Sequence, residues 1–420
     1  MSPQALIDLC SELLREVWRL ELPADAVVSA FFRRHRGLGQ RERHALAETT
    51  YAVLRRKPQL QHLSRSGAGP LERRLAILGW QGSVDFLMSG LRPEERAWRQ
   101  EIGTVDLETL PEPLRHNLPS WLAQALKREQ GEADFWPLVR SLSEPAGLDL
   151  RVNVLKLKRE QAREVLAAAG IPCEPTPYSP WGLRLKEKPS LTRLPIFQRG
   201  EIEVQDEGSQ LLALLTGASR GEMVVDFCAG AGGKTLALGA MMRNTGRLYA
   251  FDVSAHRLDA LKPRLARSGL SNVHPAAIAH ERDDRVKRLA GKIDRVLIDA
   301  PCSGLGTLRR NPDLKWRQTE ASIAEMQARQ SSILARAARL LRPGGRLVYA
   351  TCSLLRAENE EVANAFTAAE ASGFVPVAVA DVLSAAQVPL AQTLVQGPYL
   401  RLWPHQHGTD GFFAAIWQRK

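Results

Sequence analysis

The stretch MVVDFCAGAGGKT (223–235) joins a short apolar strand to the beginning of an apolar helix through a glycine-rich turn. Three more segments with strand character follow it: GRLYAFD (246–252), IDRVLIDAP (293–301) and GRLVYATCS (345–353). Helical segments separate these strands, and the last helix is expected to stop at 342–345. Strands that alternate with helices predict a largely parallel, doubly wound α/β sheet. We expect this domain to cover residues 206–420 and to end in a hairpin of PYLRLWP and GFFAAIWQ.

Two smaller domains are expected before this one. Residues 1–145 have helical periodicity and a poor strand signal, so they predict an all-α domain. Residues 146–205 contain LDLRVNVLKL, REQAREVLAAAG and WGLRLKE, which predict a strand, a helix and a second strand of a small α/β domain. The boundary falls at the end of a proline-rich segment, 101–150, in which 9 acidic residues outnumber 4 basic ones.

The composition is typical of a folded protein that binds a polyanion. The chain has 420 residues, of which 44% are hydrophobic and 25% are charged, so it is neither disordered nor fibrous. Its 57 Lys and Arg residues outnumber its 46 Asp and Glu residues, which gives a net charge of +11. This excess favours nucleic acid as a partner, with a membrane surface as the second choice. Three basic runs, at 33–36, 41–43 and 55–57, are candidates for phosphate contacts.

Cysteine usage and apolar segments indicate the compartment. Five scattered cysteines without a CxxC pair form neither a disulfide framework nor a zinc site. We therefore expect reduced thiols, a cytoplasmic protein and no bound metal. The chain has no run of 18 apolar residues, and charges interrupt its N-terminal segment, which is typical of an amphipathic helix. We expect no membrane association.

The glycine-rich turn fails two familiar phosphate-binding patterns by one residue each. A P-loop fits Gly233-Lys234-Thr235, but Cys228 occupies the position of its leading glycine. A dinucleotide fingerprint fits Gly230 and Gly232, but Thr235 occupies the position of its third glycine. A turn that serves only close packing of helix and sheet is the structural alternative.

An acidic residue after the second strand favours S-adenosylmethionine as the ligand. Asp252 ends that strand, 22 residues after Gly230, where a carboxylate accepts hydrogen bonds from a ribose diol. S-adenosylmethionine has a ribose and no phosphate, so it suits a turn that lacks both phosphate-binding patterns. Lys234 is left with two roles, as the partner of a carboxylate or as a contact to the substrate.

Two cysteines follow the next two strands of the expected sheet. Cys302 lies in DAPCSG after the third strand, and Cys352 lies in TCS after the fourth. The carboxyl ends of such strands open onto the ligand crevice, so both thiols should face the methyl donor. A thiolate that adds to carbon 6 of cytosine makes carbon 5 nucleophilic enough to accept a methyl group. Asp299 is placed to supply a proton or hydrogen bond to the ring, and the second thiol to assist product release. The residues alone do not rank the two thiols.

At these residues the chain resembles the RNA cytosine-C5 methyltransferases, and within them the bacterial small-subunit ribosomal RNA enzymes of the RsmB branch. The matching segments are RVNVLK (151–156), VQDEGSQ (204–210), DFCAGAGGKT (226–235), DAPCSGLGTLRRNPDLKW (299–316), YATCS (349–353) and HGTDGFF (407–413). The resemblance implies a Rossmann-like class I methyltransferase core that uses S-adenosylmethionine. It also implies an RRM-like small domain and, from FFRRHRGLGQRERHALAETTYAVLRR, a NusB-like RNA-binding domain at the N-terminus.

The resemblance also implies roles for single residues. In the family the TCS thiol attacks the base and the PCSG thiol assists release, which implies Cys352 as nucleophile and Cys302 as release residue. Lys315 resembles an active-site lysine that contacts Asp299 or the base. The implied cofactor contacts are Cys228, Ala229, Gly230, Ala231, Gly232, Gly233, Lys234, Asp252, Asp283 and Asp299, with Asp284 as the near alternative to Asp283.

Small-subunit ribosomal RNA is thus the expected substrate, and a monomer is the expected state. Three alternatives remain at this stage. The first is a non-catalytic RNA-binding or ribosome-assembly factor with a methyltransferase fold, and the second is a transfer RNA cytosine-C5 methyltransferase. The third is a DNA cytosine methyltransferase, which uses the PC-type thiol alone, so that the second thiol at Cys352 argues against it.

Overall fold

A computed structural model describes residues 1–420. The helices are α1 Pro3–Val17, α2 Ala24–Arg34, α3 Gln40–Arg55, α4 Lys57–Leu63, α5 Leu71–Gly79, α6 Val84–Ser89, α7 Pro93–Gly103, α8 Glu112–His116, α9 Ser120–Ser143, α10 Arg159–Ala168, α11 Pro195–Gln198, α12 Glu207–Leu214, α13 Gly233–Met241, α14 Ala255–Ser268, α15 Asp284–Lys287, α16 Leu314–Arg317, α17 Glu320–Ala338, α18 Glu360–Ala369, α19 Val379–Ala385 and α20 Pro404–His407. None of these helices combines the length and the hydropathy needed to cross a lipid bilayer.

The strands are β1 Leu148–Val152, β2 Cys173–Pro175, β3 Gly182–Leu185, β4 Ile202–Val204, β5 Met223–Asp226, β6 Arg247–Asp252, β7 Val273–Ala277, β8 Ile293–Asp299, β9 Leu341–Thr351, β10 Phe374–Val377, β11 Val395–Gln396, β12 Tyr399–Leu402 and β13 Phe412–Arg419. The chain divides into two compact units. The helical unit comprises Met1–Pro145 and Thr307–Thr319, and the sheet unit comprises Ala146–Gly306 and Glu320–Lys420.

The helical unit is built from α1–α9 and α16, and helices α1–α7 share one apolar core. Helix α1 is a good example of how its sequence specifies a helix. The hydroxyl of Ser2 accepts a hydrogen bond from the backbone N–H of Ala5, and Pro3 occupies the first helical position. Its buried residues recur three or four positions apart and face α3 and α5. They are Leu6, Ile7, Cys10, Ser11, Leu13, Leu14 and Val17.

The segment 307–319 lies within the expected catalytic domain, yet it packs in the helical unit. The carboxylate of Asp313 accepts a hydrogen bond from the backbone N–H of Ala24 at 3.2 Å. It thereby caps α2, whose N-cap residue, Pro23, provides no side-chain hydrogen bond. At the C-terminal end of α3, Trp316 donates to the carbonyl of Leu54. The segment therefore satisfies backbone groups that two helix ends leave without partners.

Lys315 also lies in the segment 307–319 and contacts the end of a helix. Its Nζ donates to the carbonyl oxygen of Arg55, the last residue of α3, at 2.8 Å, and its side chain is buried. The ammonium group of Lys315 thus binds a carbonyl group at the C-terminal end of α3. The expected contact of Lys315 with Asp299 or with the base stays a prediction.

Burial, together with the charge of Arg55, lowers the pKa of Lys315 to about 7, whereas lysine in an unfolded chain titrates near 10.4. Between these values the unfolded state binds a proton that the folded state has released, so this group makes the free energy of unfolding rise with pH. We expect Lys315→Met to be more stable than wild type at pH 7 and to lose this advantage by about pH 10.

Urea unfolding followed by tryptophan fluorescence at several pH values measures this difference. Lys262→Met removes an exposed lysine and serves as the control, whose difference from wild type stays constant with pH. A pH-independent difference for Lys315→Met contradicts the neutral buried amine.

The sheet unit contains a small and a large sheet. The small sheet has the order β2-β3-β1-β4 with antiparallel neighbours, and α10 packs its buried Ala162 and Leu166 into the same core. The large sheet has the order β11-β12-β13-β9-β8-β5-β6-β7, and β10 pairs with β13. Strands β7, β6, β5, β8 and β9 are parallel, which confirms the doubly wound Rossmann-like fold. The hairpin of β12 and β13 is also confirmed.

Two strand assignments differ from the sequence pattern. Strand β7 was not expected, because its sequence VHPAA carries a proline and little β-branched character. It lies at the edge of the sheet, where a missing N–H is tolerated. The last parallel strand begins at Leu341 rather than at 345, because Leu341 is buried and pairs with Ile293 across a register shift. Helix α17 accordingly ends before the Arg-Pro-Gly-Gly segment.

Candidate active site

The glycine-rich turn lies between β5 and α13 and depends on left-handed backbone. Gly230 has φ +55° and Gly232 has φ +82°, values that favour glycine. A Cβ at Gly232 would lie 2.1 Å from Leu261, so this glycine allows α14 to pack closely. A Cβ at Gly230 would meet nothing within 4 Å, so the turn is open on that side.

Two carboxylates hold this turn from opposite sides. Asp252, at the end of β6, accepts a hydrogen bond from the N–H of Gly230 at 2.8 Å. Asp226, at the end of β5, accepts one from the hydroxyl of Thr235 at 2.7 Å, and its other oxygen is buried without a partner. Burial raises the pKa of Asp226 to about 7. The turn is therefore fixed before any ligand arrives.

The residues present fit S-adenosylmethionine. Besides Gly230, Asp252 accepts a hydrogen bond from the N–H of Ser254. A carboxylate has about four acceptor positions, so two remain for the hydroxyls of a ribose. The open face at Gly230 leaves backbone within reach of a ligand, and the buried free oxygen of Asp226 is a further acceptor beneath the turn. Both features lie at the carboxyl edge of the parallel strands, where ligands bind in this fold.

Asp283 and Asp284 have different environments. Asp283 is the N-cap of α15 and accepts hydrogen bonds from the N–H groups of Ala279 and Arg285. The chain reaches this position from β7, where the N–H of Ile278 bonds the carbonyl of Asp252. Asp284 is exposed and pairs with Lys287 on its own helix. This geometry favours Asp283 as the residue close to the cofactor site.

An ion pair connects the glycine turn to β8. Lys234 Nζ lies 2.6 Å from Asp299 Oδ2. Of the two roles open to Lys234, the structure therefore supports pairing with a carboxylate. Burial alone lowers the pKa of Lys234, but Asp299 and the charge of Cys352 outweigh it, so the pKa is raised. A positive charge thus lies beside both Asp299 and Cys352.

The two candidate thiols lie in contact. The sulfur atoms of Cys302 and Cys352 are 3.4 Å apart. Parallel pairing of β8 with β9 places Asp299 beside Ala350, so the two cysteine loops leave the sheet side by side. A hydrogen bond of 2.8 Å from the N–H of Gly306 to the carbonyl of Cys352 joins the loops again further on.

The environments of the two thiols differ. The hydrogen bond to Cys352 raises the pKa of Cys302 well above its ordinary value, and burial and the charges of Cys352 and Glu358 act in the same direction. Either thiol can donate in the contact between the two sulfur atoms, and these effects disfavour a negative charge on Cys302. Because only a thiolate is strongly nucleophilic, this arrangement favours Cys352 as the attacking residue.

Three buried polar residues near the cysteine loops were not expected from the sequence: Glu358, Asn359 and Gln330. Glu358 accepts hydrogen bonds from Ser303 and Ser353 as well as from Gln330. Asn359 bonds Thr351 and the carbonyl of Ser353. Glu358 and Asn359 lie in the polar run RAENEE, which resembles a solvated turn. The only feature of the sequence that pointed to the run RAENEE was its position a few residues after TCS.

A basic groove lies in the helical unit, formed by α2 and the beginning of α3. Its volume is about 480 Å³, and it is lined by Ser29, Phe32, Arg33, Arg36 and Arg43. Arg33 and Arg36 are exposed and form no ion pair, while Arg43 lies over the ring of Phe32. The first two basic runs of the sequence thus meet at one concave surface.

The parallel sheet, the glycine-rich turn and the carboxylate after the next strand define a Rossmann-like class I methyltransferase that depends on S-adenosylmethionine. A model of the family described as "16S rRNA methyltransferase RsmB/F" matches residues 213–418, and a model of its ferredoxin-like domain matches residues 118–192. The chain is 34% identical to the probable ribosomal RNA small subunit methyltransferase B of Synechocystis, over 80% of this chain and 74% of that protein. The chain therefore belongs to the RsmB/F family of 16S rRNA methyltransferases and is an enzyme.

A second relative agrees with this membership, and a solved structure shares the fold over the whole chain. The probable ribosomal RNA small subunit methyltransferase B of Bacillus subtilis is 31% identical over 82% of this chain and 76% of its own length. The crystal structure of PH0851 superposes with a TM-score of 0.80 at 27% identity and covers 99% of both chains.

Asp283→Ser tests the cofactor site. Serine also caps helices, so the variant removes the carboxylate but keeps the N-cap of α15. We expect the Kd for S-adenosylmethionine, measured by calorimetry, to rise about tenfold, because a hydrogen bond to a charged group contributes on the order of 1.5 kcal/mol. Asp284→Ser is the matched control and should bind like wild type. Equal weakening by both substitutions, or by neither, would count against Asp283.

Proposed function

We propose that this enzyme transfers the methyl group of S-adenosylmethionine to carbon 5 of a cytosine in 16S ribosomal RNA through a covalent bond between Cys352 and the base. The observation that carries the proposal is the pair of sulfur atoms 3.4 Å apart. They lie beside the Lys234–Asp299 ion pair. A site with a single thiol lacks the second thiol that assists product release. A non-catalytic RNA-binding factor needs neither of the two thiols.

The reaction begins with the attack of the Cys352 sulfur on carbon 6 of the cytosine. The electron pair of the 5,6 double bond then becomes available at carbon 5, and ring nitrogen 3 gains a proton or hydrogen bond through Asp299 as negative charge develops on the ring. When bound, S-adenosylmethionine supplies an electrophilic methyl group to this carbon. A base, either water or the sulfur of Cys302, then accepts the proton from carbon 5. The 5,6 double bond re-forms, and the bond between carbon 6 and sulfur breaks with its electron pair returning to Cys352. Cys302 assists this last step.

Lys234 has two functions in this scheme. Its ammonium lies 2.6 Å from Asp299 and orients that carboxylate toward the ring. Its charge also favours negative charge on the sulfur of Cys352, both before attack and after release. Because carbon 6 is inaccessible within stacked RNA, the target nucleotide must be unstacked before attack.

RNA that carries 5-fluorocytosine tests the covalent step, because fluorine at carbon 5 cannot leave as a proton does. With S-adenosylmethionine present, we expect wild-type protein to form an adduct that withstands denaturing electrophoresis. The adduct should disappear in Cys352→Ala. With ordinary RNA, Cys302→Ala should instead accumulate an adduct, because release is impaired.

Cys173→Ala is the control for these variants, since this buried cysteine lies in the small sheet. It should behave like wild type. An adduct that persists in Cys352→Ala and disappears in Cys302→Ala would reverse the two roles. A protein that forms no adduct and transfers no methyl group to 16S ribosomal RNA or transfer RNA would contradict the proposal.

We further propose that residues 1–145 are a NusB-like RNA-binding domain, residues 146–205 an RRM-like domain and residues 206–420 the catalytic domain of a cytoplasmic monomer. The net charge of +11 and the unpaired Arg33 and Arg36 of the basic groove support binding of RNA phosphates by the first domain. The segment 307–319 supports a connection between RNA binding and catalysis, because the chain enters it four residues after Ser303.

Arg33→Ala with Arg36→Ala tests the groove. Each lost phosphate contact lowers the slope of log K against log salt by about 0.9, so we expect the double variant to lower it by roughly 2. The KM for RNA should rise while kcat stays unchanged. Arg128→Ala with Arg140→Ala removes the same charge from exposed positions of α9 and should leave both values unchanged. If the salt slope is unaltered in Arg33→Ala with Arg36→Ala, the groove is excluded as an RNA-binding surface.

A further inference from the structure

Glu358 is a fully buried carboxylate beside the two cysteine loops. Its Oε1 accepts hydrogen bonds from the N–H of Ser303 at 2.8 Å and from the amide of Gln330 at 3.1 Å. Its Oε2 accepts from the hydroxyls of Ser303 and Ser353. All four acceptor positions of the carboxylate are thus occupied by protein donors, as expected for a buried ionised group.

These contacts connect the two loops through the residues that directly follow the thiols. Ser303 follows Cys302, and Ser353 follows Cys352. Their hydroxyls are also 3.3 Å apart, so they form a triangle with the carboxylate. Any shift of one loop against the other would break at least one of these buried hydrogen bonds. The carboxylate therefore fixes the distance between the two sulfur atoms.

The backbone that carries Glu358 is held as firmly as its side chain. The hydroxyl of Tyr349, on β9, donates to the carbonyl of Glu358 at 2.5 Å. The amide of Asn359 donates to the carbonyl of Ser353 at 3.0 Å. The carboxylate is thus supported from the strand that precedes Cys352, and it cannot move independently of that strand.

The charge of Glu358 acts unequally on the two thiols. It forms no ion pair with Lys or Arg, and Arg401 pairs with Glu360. Its contact to a backbone N–H is on the Cys302 side, and its charge contributes to the raised pKa of Cys302. The ammonium of Lys234, which pairs with Asp299, interacts electrostatically with Cys352. Two of the three serine hydrogen bonds of the carboxylate come from Ser303, the residue after Cys302, and only one comes from Ser353. The carboxylate therefore disfavours negative charge on Cys302.

We propose that Glu358 is a positioning residue that selects Cys352 over Cys302 as the nucleophile. It holds both thiols in contact and disfavours negative charge on Cys302, which leaves Cys352 as the attacking thiol. This inference rests on the proposed covalent mechanism for its purpose, but the selection is a property of the protein without RNA or S-adenosylmethionine. It explains how two neighbouring cysteines at one edge of a sheet acquire different roles.

Alkylation of the intact protein by iodoacetamide at pH 8 tests the selection. Mass spectrometry of the digested protein gives the initial rates at Cys302 and Cys352. Wild type should react mainly at Cys352. In Glu358→Gln the negative charge is gone, whereas the serine hydroxyls can rotate to keep their hydrogen bonds. We expect the ratio of Cys302 to Cys352 alkylation to rise about tenfold, which corresponds to roughly one unit of pKa.

Two variants serve as controls. Glu360→Gln removes the same charge two residues away, where the carboxylate faces Arg401, and should change the ratio less than about twofold. Tyr349→Phe removes the hydrogen bond to the backbone of Glu358 but keeps the carboxylate, and its ratio should equal that of wild type. These controls separate the charge of Glu358 from general loosening of the loops.

An unchanged ratio in folded Glu358→Gln overturns the proposal. If this variant does not fold, Glu358→Asp decides, because it keeps the charge and shortens the side chain. A wild-type ratio together with a lower kcat at unchanged KM then supports the proposal, whereas a ratio that rises tenfold overturns it. Failure of the proposed function has a different signature, since wild type would then form no adduct with RNA while the alkylation ratios still change as expected.

Discussion

Parallel pairing of β8 with β9 is the constraint on which the site depends. Each strand ends at the same edge of the sheet, and the register that sets Asp299 beside Ala350 makes the two following loops emerge together. The strands themselves are held in place by burial on both faces, since their apolar residues belong to two separate core clusters. A one-residue slip would turn every side chain to the opposite face and separate the thiols. The strand register that packs the core therefore also places the two thiols next to each other.

Electrostatics then gives two chemically identical side chains different tasks. Lys234 supplies a positive charge near Cys352, and Glu358 supplies a negative charge that acts on Cys302. The two charges come from different elements: Lys234 lies at the beginning of α13, and Glu358 lies in the loop that runs from Cys352 to α18. In the proposed mechanism the glycine turn contributes to nucleophile activation as well as to cofactor binding, because Lys234 at its end pairs with Asp299.

The sequence predicts the features that are encoded locally. The glycine turn, the acid at Asp252 and the cysteines at strand ends all follow from short patterns, and so does the doubly wound sheet. Features that depend on distant contacts were missed: strand β7 has a weak pattern and is held by pairing with β6. The anchoring of 307–319 in the helical unit and the buried Glu358 network could not be predicted for the same reason, since their charged residues resemble solvated surface until their partners are known.

The proposed reaction of this site is the methylation of carbon 5 of cytosine. The most direct measurement treats 16S ribosomal RNA with the purified protein and isotopically labelled S-adenosylmethionine, digests the product to nucleosides and separates them by chromatography. The paired thiols and the Lys234–Asp299 pair predict that all transferred label is found in 5-methylcytidine. Label in a methylated adenosine or guanosine, or in cytidine methylated on its exocyclic nitrogen, would contradict the account, because none of these products needs a thiolate.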